Sequence, residues 1–204
     1  MSEFPPPEVQ RLVGAIAAIL RRRGETLAVS EAACGGLLSA YLVSVPGALD
    51  FYIGGKLLYL LKQRLKLSGW TQDDINNFMG PSQLVALKLA RTTKYELGLT
   101  YVLSETGFAG PGTDLHLGSD LTQPEATERT VGTVYLGWCG PQVQSLAQFS
   151  TGLSLRLENM TEFAKLGLQF LLEQLQAIEE KEGKDDDKED DKNEKDSKKD
   201  EKEA

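Results

Sequence analysis

The stretch Val29-Ser30-Glu31-Ala32-Ala33-Cys34-Gly35-Gly36-Leu37-Leu38-Ser39-Ala40-Tyr41-Leu42 joins two apolar runs through a glycine pair. The residues Thr26–Ser30 before it are short and apolar enough for a buried strand. Gly35-Gly36 opens a second segment, roughly Leu37–Val43, with helical spacing, and Pro46-Gly47 breaks it. A strand, a tight turn and a helix in that order form the junction at which α/β proteins bind or react. The residues able to do chemistry there are Ser30, Glu31 and Cys34, and they surround an Ala-Ala pair.

Outward from the junction, the helix and strand periods alternate. Val9, Leu12, Val13, Ile16, Ile19 and Leu20 recur at steps of three and four, which predicts a helix over Glu8–Arg23. Pro5-Pro6-Pro7 precede that helix and Gly24 ends it. Ile53–Leu61 reads as a second strand with Gly54-Gly55 near its start, although its leucine-rich run also fits a helix. A short helix follows Thr71 over Gln72–Asn77, and Ser82 is placed to cap a longer one over Gln83–Leu97. Tyr101–Ser104 is a third strand. Val131–Trp138 and Val143–Phe149 form a hairpin around Gly140-Pro141-Gln142. Leu155–Glu180 is a last helix with a broad apolar face. Trp70 and Trp138 are expected in the core. This order predicts a three-layer α/β/α sandwich with a mixed sheet. Three loops have the composition of a site: 30–36, 105–113 and 150–156.

Composition narrows the function. The 204 residues, 41% of them hydrophobic, suit one globular domain over residues 8–178 behind a short extension, 1–7. Of the formal net charge of −8, most lies in the last stretch: residues 179–204 hold 14 acidic and 8 basic side chains. That segment has no apolar residue between Ile178 and Ala204, so it is expected to be disordered and free to dock a basic partner. The near-neutral body argues against nucleic acid. No apolar run is long enough for a membrane helix, and no secretory signal is evident. Cys34 and Cys139 form no zinc pattern, so no metal is expected; two such cysteines suggest reduced thiols in the cytoplasm, with a single disulfide left open. The lone histidine, His116, falls in a Gly/Asp-rich loop with Asp114 and Asp120, which is poor ground for a Ser-His-Asp triad.

Four local patterns combine these readings: Ser30-Glu31-Ala32-Ala33-Cys34-Gly35-Gly36; Gly54-Gly55-Lys56-Leu57-Leu58-Tyr59; Thr106-Gly107-Phe108-Ala109-Gly110-Pro111-Gly112; and Val131-Gly132-Thr133-Val134 with Phe149-Ser150-Thr151-Gly152 after the next strand. In this order and spacing the chain resembles the C-terminal domain of the CinA (competence/damage-inducible protein) family, over roughly residues 8–178. That family includes bacterial nicotinamide mononucleotide (NMN) amidohydrolases. The resemblance implies a nucleotide-like ligand, no cofactor, and self-association as a homo-oligomer, for which an apolar Leu57–Leu61 patch offers an interface.

The family's active loop reads Glu-Ser-Cys-Thr-Gly-Gly, with the serine as nucleophile. On this chain Glu31 matches the glutamate, Gly35-Gly36 match the glycines, and Ala32 stands at the serine. Alanine has no oxygen to attack an amide. Tyr59 matches the family's tyrosine. Arg64 stands at its lysine, keeping the charge but not the ability to act as a base. The family's Gly-Asp-Arg becomes Gly152-Leu153-Ser154, with Arg156 two residues on.

The resemblance therefore implies ligand-binding roles for Glu31, Gly35, Gly36, Arg64, Thr106, Gly107, Gly110 and Gly112. Two functions follow. One is a non-catalytic descendant that binds a nucleotide-like ligand or another protein. The other is an amidohydrolase with a displaced nucleophile, Cys34 or Ser30, assisted by Tyr59. Cys34, just before a helix start, would have its pKa lowered there, whereas Glu31 has a structural option as a cap for that helix.

Overall fold

In a computed structural model of the chain, residues 3–60, 63, 67–78, 80–111 and 131–200 are described, with side chains as far as Gly183. The elements are α1 (Pro7–Arg23), β1 (Leu27–Glu31), α2 (Leu37–Val43), β2 (Tyr52–Leu57), α3 (Gln72–Asn76), α4 (Gln83–Leu97), β3 (Tyr101–Gly107), β4 (Thr133–Cys139), β5 (Gln144–Ser150) and α5 (Arg156–Asp200). One short 3-10 turn, Ala48–Asp50, precedes β2.

The five strands make one mixed sheet in the order β2-β1-β3-β4-β5. β1 runs parallel to both β2 and β3, while β3–β4 and β4–β5 are antiparallel, the latter being the hairpin read from the sequence. Helices α1, α2 and α5 cover one face and α4 the other, which is the predicted three-layer α/β/α sandwich. The main core fills the first interface: Leu27, Val29 and Leu103 of the sheet meet Ile16, Leu20, Leu38, Phe163 and Leu171. On the opposite face Ala28 and Val102 pack with Ala90 of α4. Trp138 is fully buried and stacks on Tyr101 with ring centroids 4.7 Å apart; Trp70 is also buried.

Helix starts follow local chemistry. Thr71 and Asp74 form a reciprocal capping box at α3, and the Ser82 hydroxyl accepts from Val85 N at α4. Three boundaries differ from the sequence reading by three residues or more. β3 runs on to Gly107 rather than ending at Ser104, because its ladder with β4 continues to the Gly107–Val134 pair. β2 stops at Leu57 rather than Leu61, because its ladder with β1 ends at the Glu31–Leu57 pair. The last helix continues to Asp200, whereas the apolar face had placed its end near Glu180 and residues 179–204 had read as disordered. The apolar stripe marks only the packed part. Beyond it a proline-free, Lys/Glu/Asp-rich run keeps helical backbone without a packing face in its sequence.

Candidate functional site

The sheet order fixes where a site can form. β1 connects through α2 to β2 on one side, while β3 lies on its other side. The crevice outside the carboxyl ends of β1 and β3 is thus the topological switch point, where ligands sit in open α/β sheets. The turn 32–36 follows β1, and the loop 108–111 follows β3.

Ala32 is nearly buried, with 5% exposure, and presents a methyl group at the position of interest. Cys34 is fully buried in the main core. Its pKa, expected to fall, is instead pushed well above the ordinary thiol value by burial, with the charges of Glu105 and Glu31 adding to the rise. The helix start cannot offset this, because the α2 donors are already taken. Ser30 is buried too, and its hydroxyl has no hydrogen-bond partner among the described residues. Ser30 pairs in register with Ser104, whose hydroxyl donates to Ala86 O of α4. Ser30 therefore faces α4, on the other side of the sheet from Glu31 and Cys34.

Glu31 caps α2 from within β1. Its Oε2 accepts from Gly36 N and Leu38 N at 3.0 Å each, and its Oε1 from Ser39 N at 2.8 Å and from the Ser39 hydroxyl. The N-cap itself is Gly36 at φ 99°, with no side chain to cap, so the carboxylate supplies what the cap residue lacks. Every one of these contacts is internal, so Glu31 serves the helix; the ligand contact implied for it would have to displace them.

Glu105, which the sequence reading passed over, is the second carboxylate of this turn. It is fully buried on β3, and its Oε2 accepts from Ala32 N at 3.1 Å and Cys34 N at 2.9 Å. Burial pushes its carboxyl up to about 7, against the two N–H donors, which pull the other way, and with the Glu31 charge adding to the rise.

On the β3 side, Gly107 and Gly110 are glycines by necessity. A Cβ at Gly107 would lie 2.6 Å from Thr133 O, and one at Gly110, where φ is 113°, would lie 2.8 Å from Ser154 O. Thr106 is buried in the same strand. The first turns of α5 join these segments. Arg156 Nη1 donates to Gly110 O at 3.1 Å, and its Nη2 donates to the Tyr59 hydroxyl. The Arg156 guanidinium carbon sits 5.8 Å from the Tyr59 ring centroid. Tyr59 itself is 60% exposed, so it is not a core ring. Buried Asn159, also missed in the sequence, donates to Ala109 O at 2.9 Å and to Leu153 O at 3.1 Å. Met160 lies beside Gly35.

Of the predicted site residues, Glu31, Cys34, Gly35 and Gly36 gather at the turn with Glu105, Tyr59 and Gly110 meet through Arg156, and Ser30 faces away from both. Arg64, Gly112, Asp114, His116 and Asp120 lie outside the described residues. A cavity of about 340 Å³ opens elsewhere, between α3 and α4, lined by Trp70, Asp73, Asn77, Ser82 and Lys88, with none of the predicted site residues in it. Both cysteines are free and lie on opposite faces of the sheet, which excludes a disulfide between them. No described helix is long and apolar enough to cross a membrane.

A mixed five-stranded sheet, three layers and a Glu-held Gly-Gly turn at the β1–β3 switch point define the class: a three-layer α/β domain with its crevice at the first strand–helix junction. The chain belongs to the CinA C-terminal domain family, whose model matches residues 9–175. The CinA-like protein of Synechocystis sp. is 34% identical over 134 residues, or 66% of this chain and 30% of that protein. That of Nostoc punctiforme is 37% identical over 133 residues, or 64% and 29%. The chain thus spans under a third of the length of these relatives. Among solved structures, the competence/damage inducible protein CihA from Agrobacterium tumefaciens superposes with a TM-score of 0.72 at 23% identity, over 84% of this chain and 98% of that one. The competence or damage-inducible protein from Enterobacter asburiae gives 0.70 at 20% identity, over 82% and 98%. At these identities the structures establish the fold alone.

Proposed function

We propose that this domain does not hydrolyse amides and acts as a binding module, taking a nucleotide-like ligand at the β1–β3 crevice. One observation carries the reading: no competent nucleophile stands in the turn. Ala32 offers a methyl group, Cys34 is a fully buried thiol held protonated, and Ser30 faces the opposite side of the sheet. A nucleophile needs exposure to its substrate and a base within hydrogen-bond reach, and neither flanking residue has the first. Arg156, held at Gly110 O and Tyr59, provides a cation at the rim for an anionic ligand group.

A second reading, a protein-interaction or self-associating module, is favoured by the apolar side of edge strand β2. Ile53, Leu57, Tyr59 and Leu60 are all more than half exposed there. The charged segment 179–204 offers such a module a docking site for a basic partner. Two free, buried cysteines fit a reducing compartment such as the cytoplasm.

The test is ammonia release from NMN and a panel of small amides by the purified protein, with NMN-dependent thermal stabilisation measured in parallel. Stabilisation without turnover supports ligand binding. Concentration-dependent association without stabilisation supports the interaction module. Turnover that disappears in Cys34→Ala would sink the non-catalytic reading.

A further inference from the structure

The turn between β1 and α2 aims two backbone N–H groups at one point. Ala32 N and Cys34 N lie 3.1 Å and 2.9 Å from the same oxygen, Glu105 Oε2. Converging N–H groups beside a nucleophile position are what holds an oxyanion or a carboxylate. Here the chain fills them itself. Ser30 and Ser104 pair in parallel register and face α4, so the next residue on each strand, Glu31 and Glu105, faces the α2 side. From there the Glu105 carboxylate reaches under the turn.

Its position does not serve the carboxylate's own solvation. Glu105 is fully buried, and Oε1 accepts no hydrogen bond among the described residues. A buried carboxylate with half its lone pairs unused is costly. What the placement satisfies is the pair of donors in the turn.

We propose that Glu105 is the resident acceptor of this turn: its Oε2 closes the Ala32 and Cys34 N–H pair to any substrate oxyanion or ligand carboxylate, so that restoring a hydroxyl at position 32 does not restore hydrolysis. This rests on the non-hydrolysing reading and deepens it. The turn is shut twice, by the methyl of Ala32 and by its occupied donors. A ligand at the crevice is then held from the Arg156 and Gly110 side rather than by the turn. Truncating Glu105 at Cβ leaves two unpaired N–H donors at a space the size of a small carboxylate, and formate or acetate is the class that fits.

The experiment compares full-length wild type, Glu105→Ala and Ala32→Ser. Thermal unfolding and amide NMR shifts are followed on titration with sodium formate, against sodium chloride at equal ionic strength. Glu105→Ala is expected to gain a few degrees of Tm saturably with formate, with shifts at the Ala32 and Cys34 amides, while wild type does not respond. Ala32→Ser is expected to release no ammonia from NMN. Equal responses of wild type and Glu105→Ala to formate, indifference of folded Glu105→Ala to formate, or ammonia release by Ala32→Ser alone would each overturn the proposal. If Glu105→Ala does not fold, the wild-type spectrum decides: Ala32 and Cys34 amides unmoved by formate support a resident acceptor, and movement overturns it. Turnover by wild type counts against the non-hydrolysing function, whereas the formate response tests Glu105 alone, so the two failures are distinguishable.

Discussion

Asn159 and Ala109 lie 50 positions apart in the chain and meet through a 2.9 Å hydrogen bond from the Asn159 amide to the Ala109 carbonyl. The same amide donates to Leu153 O, and its oxygen accepts from the Thr151 hydroxyl. One buried side chain therefore ties the loop after β3 and the loop after β5 to the first turns of α5. Asn159→Ala strands the buried Ala109 carbonyl, at a cost of about 1–3 kcal/mol, while exposed Leu153 O and the half-buried Thr151 hydroxyl are left to water. Asn159→Asp keeps the shape but sets an acceptor against two carbonyls, so it is expected to be at least as destabilising. Urea unfolding of both variants checks this. Stability equal to wild type in Asn159→Asp would show that the loops hold themselves.

Glu31 carries a comparable load for α2. Four donors converge on its two oxygens, and Tyr52 extends the chain by donating to Ser39 Oγ at 2.8 Å. Glu31→Gln replaces one accepting oxygen with an NH₂ group that faces donors. It is expected to cost roughly 1.5–3 kcal/mol, the range for hydrogen bonds to charged groups. Glu31→Ala, which strands every donor, is expected to cost more. A variant within about 0.5 kcal/mol of wild type would mean that water replaces the carboxylate and that the cap is dispensable.

The contrast between these two carboxylates explains what the sequence made legible. Glu31 sits beside a Gly-Gly turn, so a capping role could be read from neighbours in the chain. Glu105 sits between Ser104 and Thr106 in a polar stretch, with no local sign of burial. Its role exists only because the strand order β2-β1-β3 sets β1 and β3 side by side and α2 covers their shared face. Asn159 is hidden for the same reason, its partner loops being remote. Strand and helix positions, by contrast, are written in local periodicity and caps: a helix follows Thr71 and Ser82 caps the next one, as read. The C-terminal end of α5 was misplaced because an apolar stripe reports packing, not helix length.

Cys34 offers a direct check on the displaced-nucleophile idea. It is fully buried, and burial together with the Glu105 and Glu31 charges raises its pKa well above the ordinary thiol value. Cys139 is also buried and raised. Alkylation by iodoacetamide at mildly alkaline pH is therefore expected to be orders of magnitude slower in the native protein than in denaturant, for both thiols. Mass spectrometry resolves the two sites. Rapid native labelling at Cys34 alone would mark it as an activated thiol and reopen catalysis.

Glu105 predicts a pH dependence with a definite sign. Its carboxyl titrates near 4.5 in the unfolded chain and is pushed up to about 7 in the fold, chiefly by burial. Between those values the native state binds the extra proton. The contribution to stability is then fully present below about 4.5 and lost as pH rises to about 7, after which it is level. Glu105→Gln keeps an oxygen for the Ala32 and Cys34 donors but does not ionise. Relative to wild type it is expected to gain stability across that window, by on the order of 3 kcal/mol at the plateau. Cys34, the titrating neighbour with a raised pKa, ionises only at higher pH and leaves the window clear. Urea unfolding at a series of pH values bracketing both ionisations measures the difference. A difference flat with pH would mean that Glu105 holds its ordinary affinity for protons, with water reaching its second oxygen.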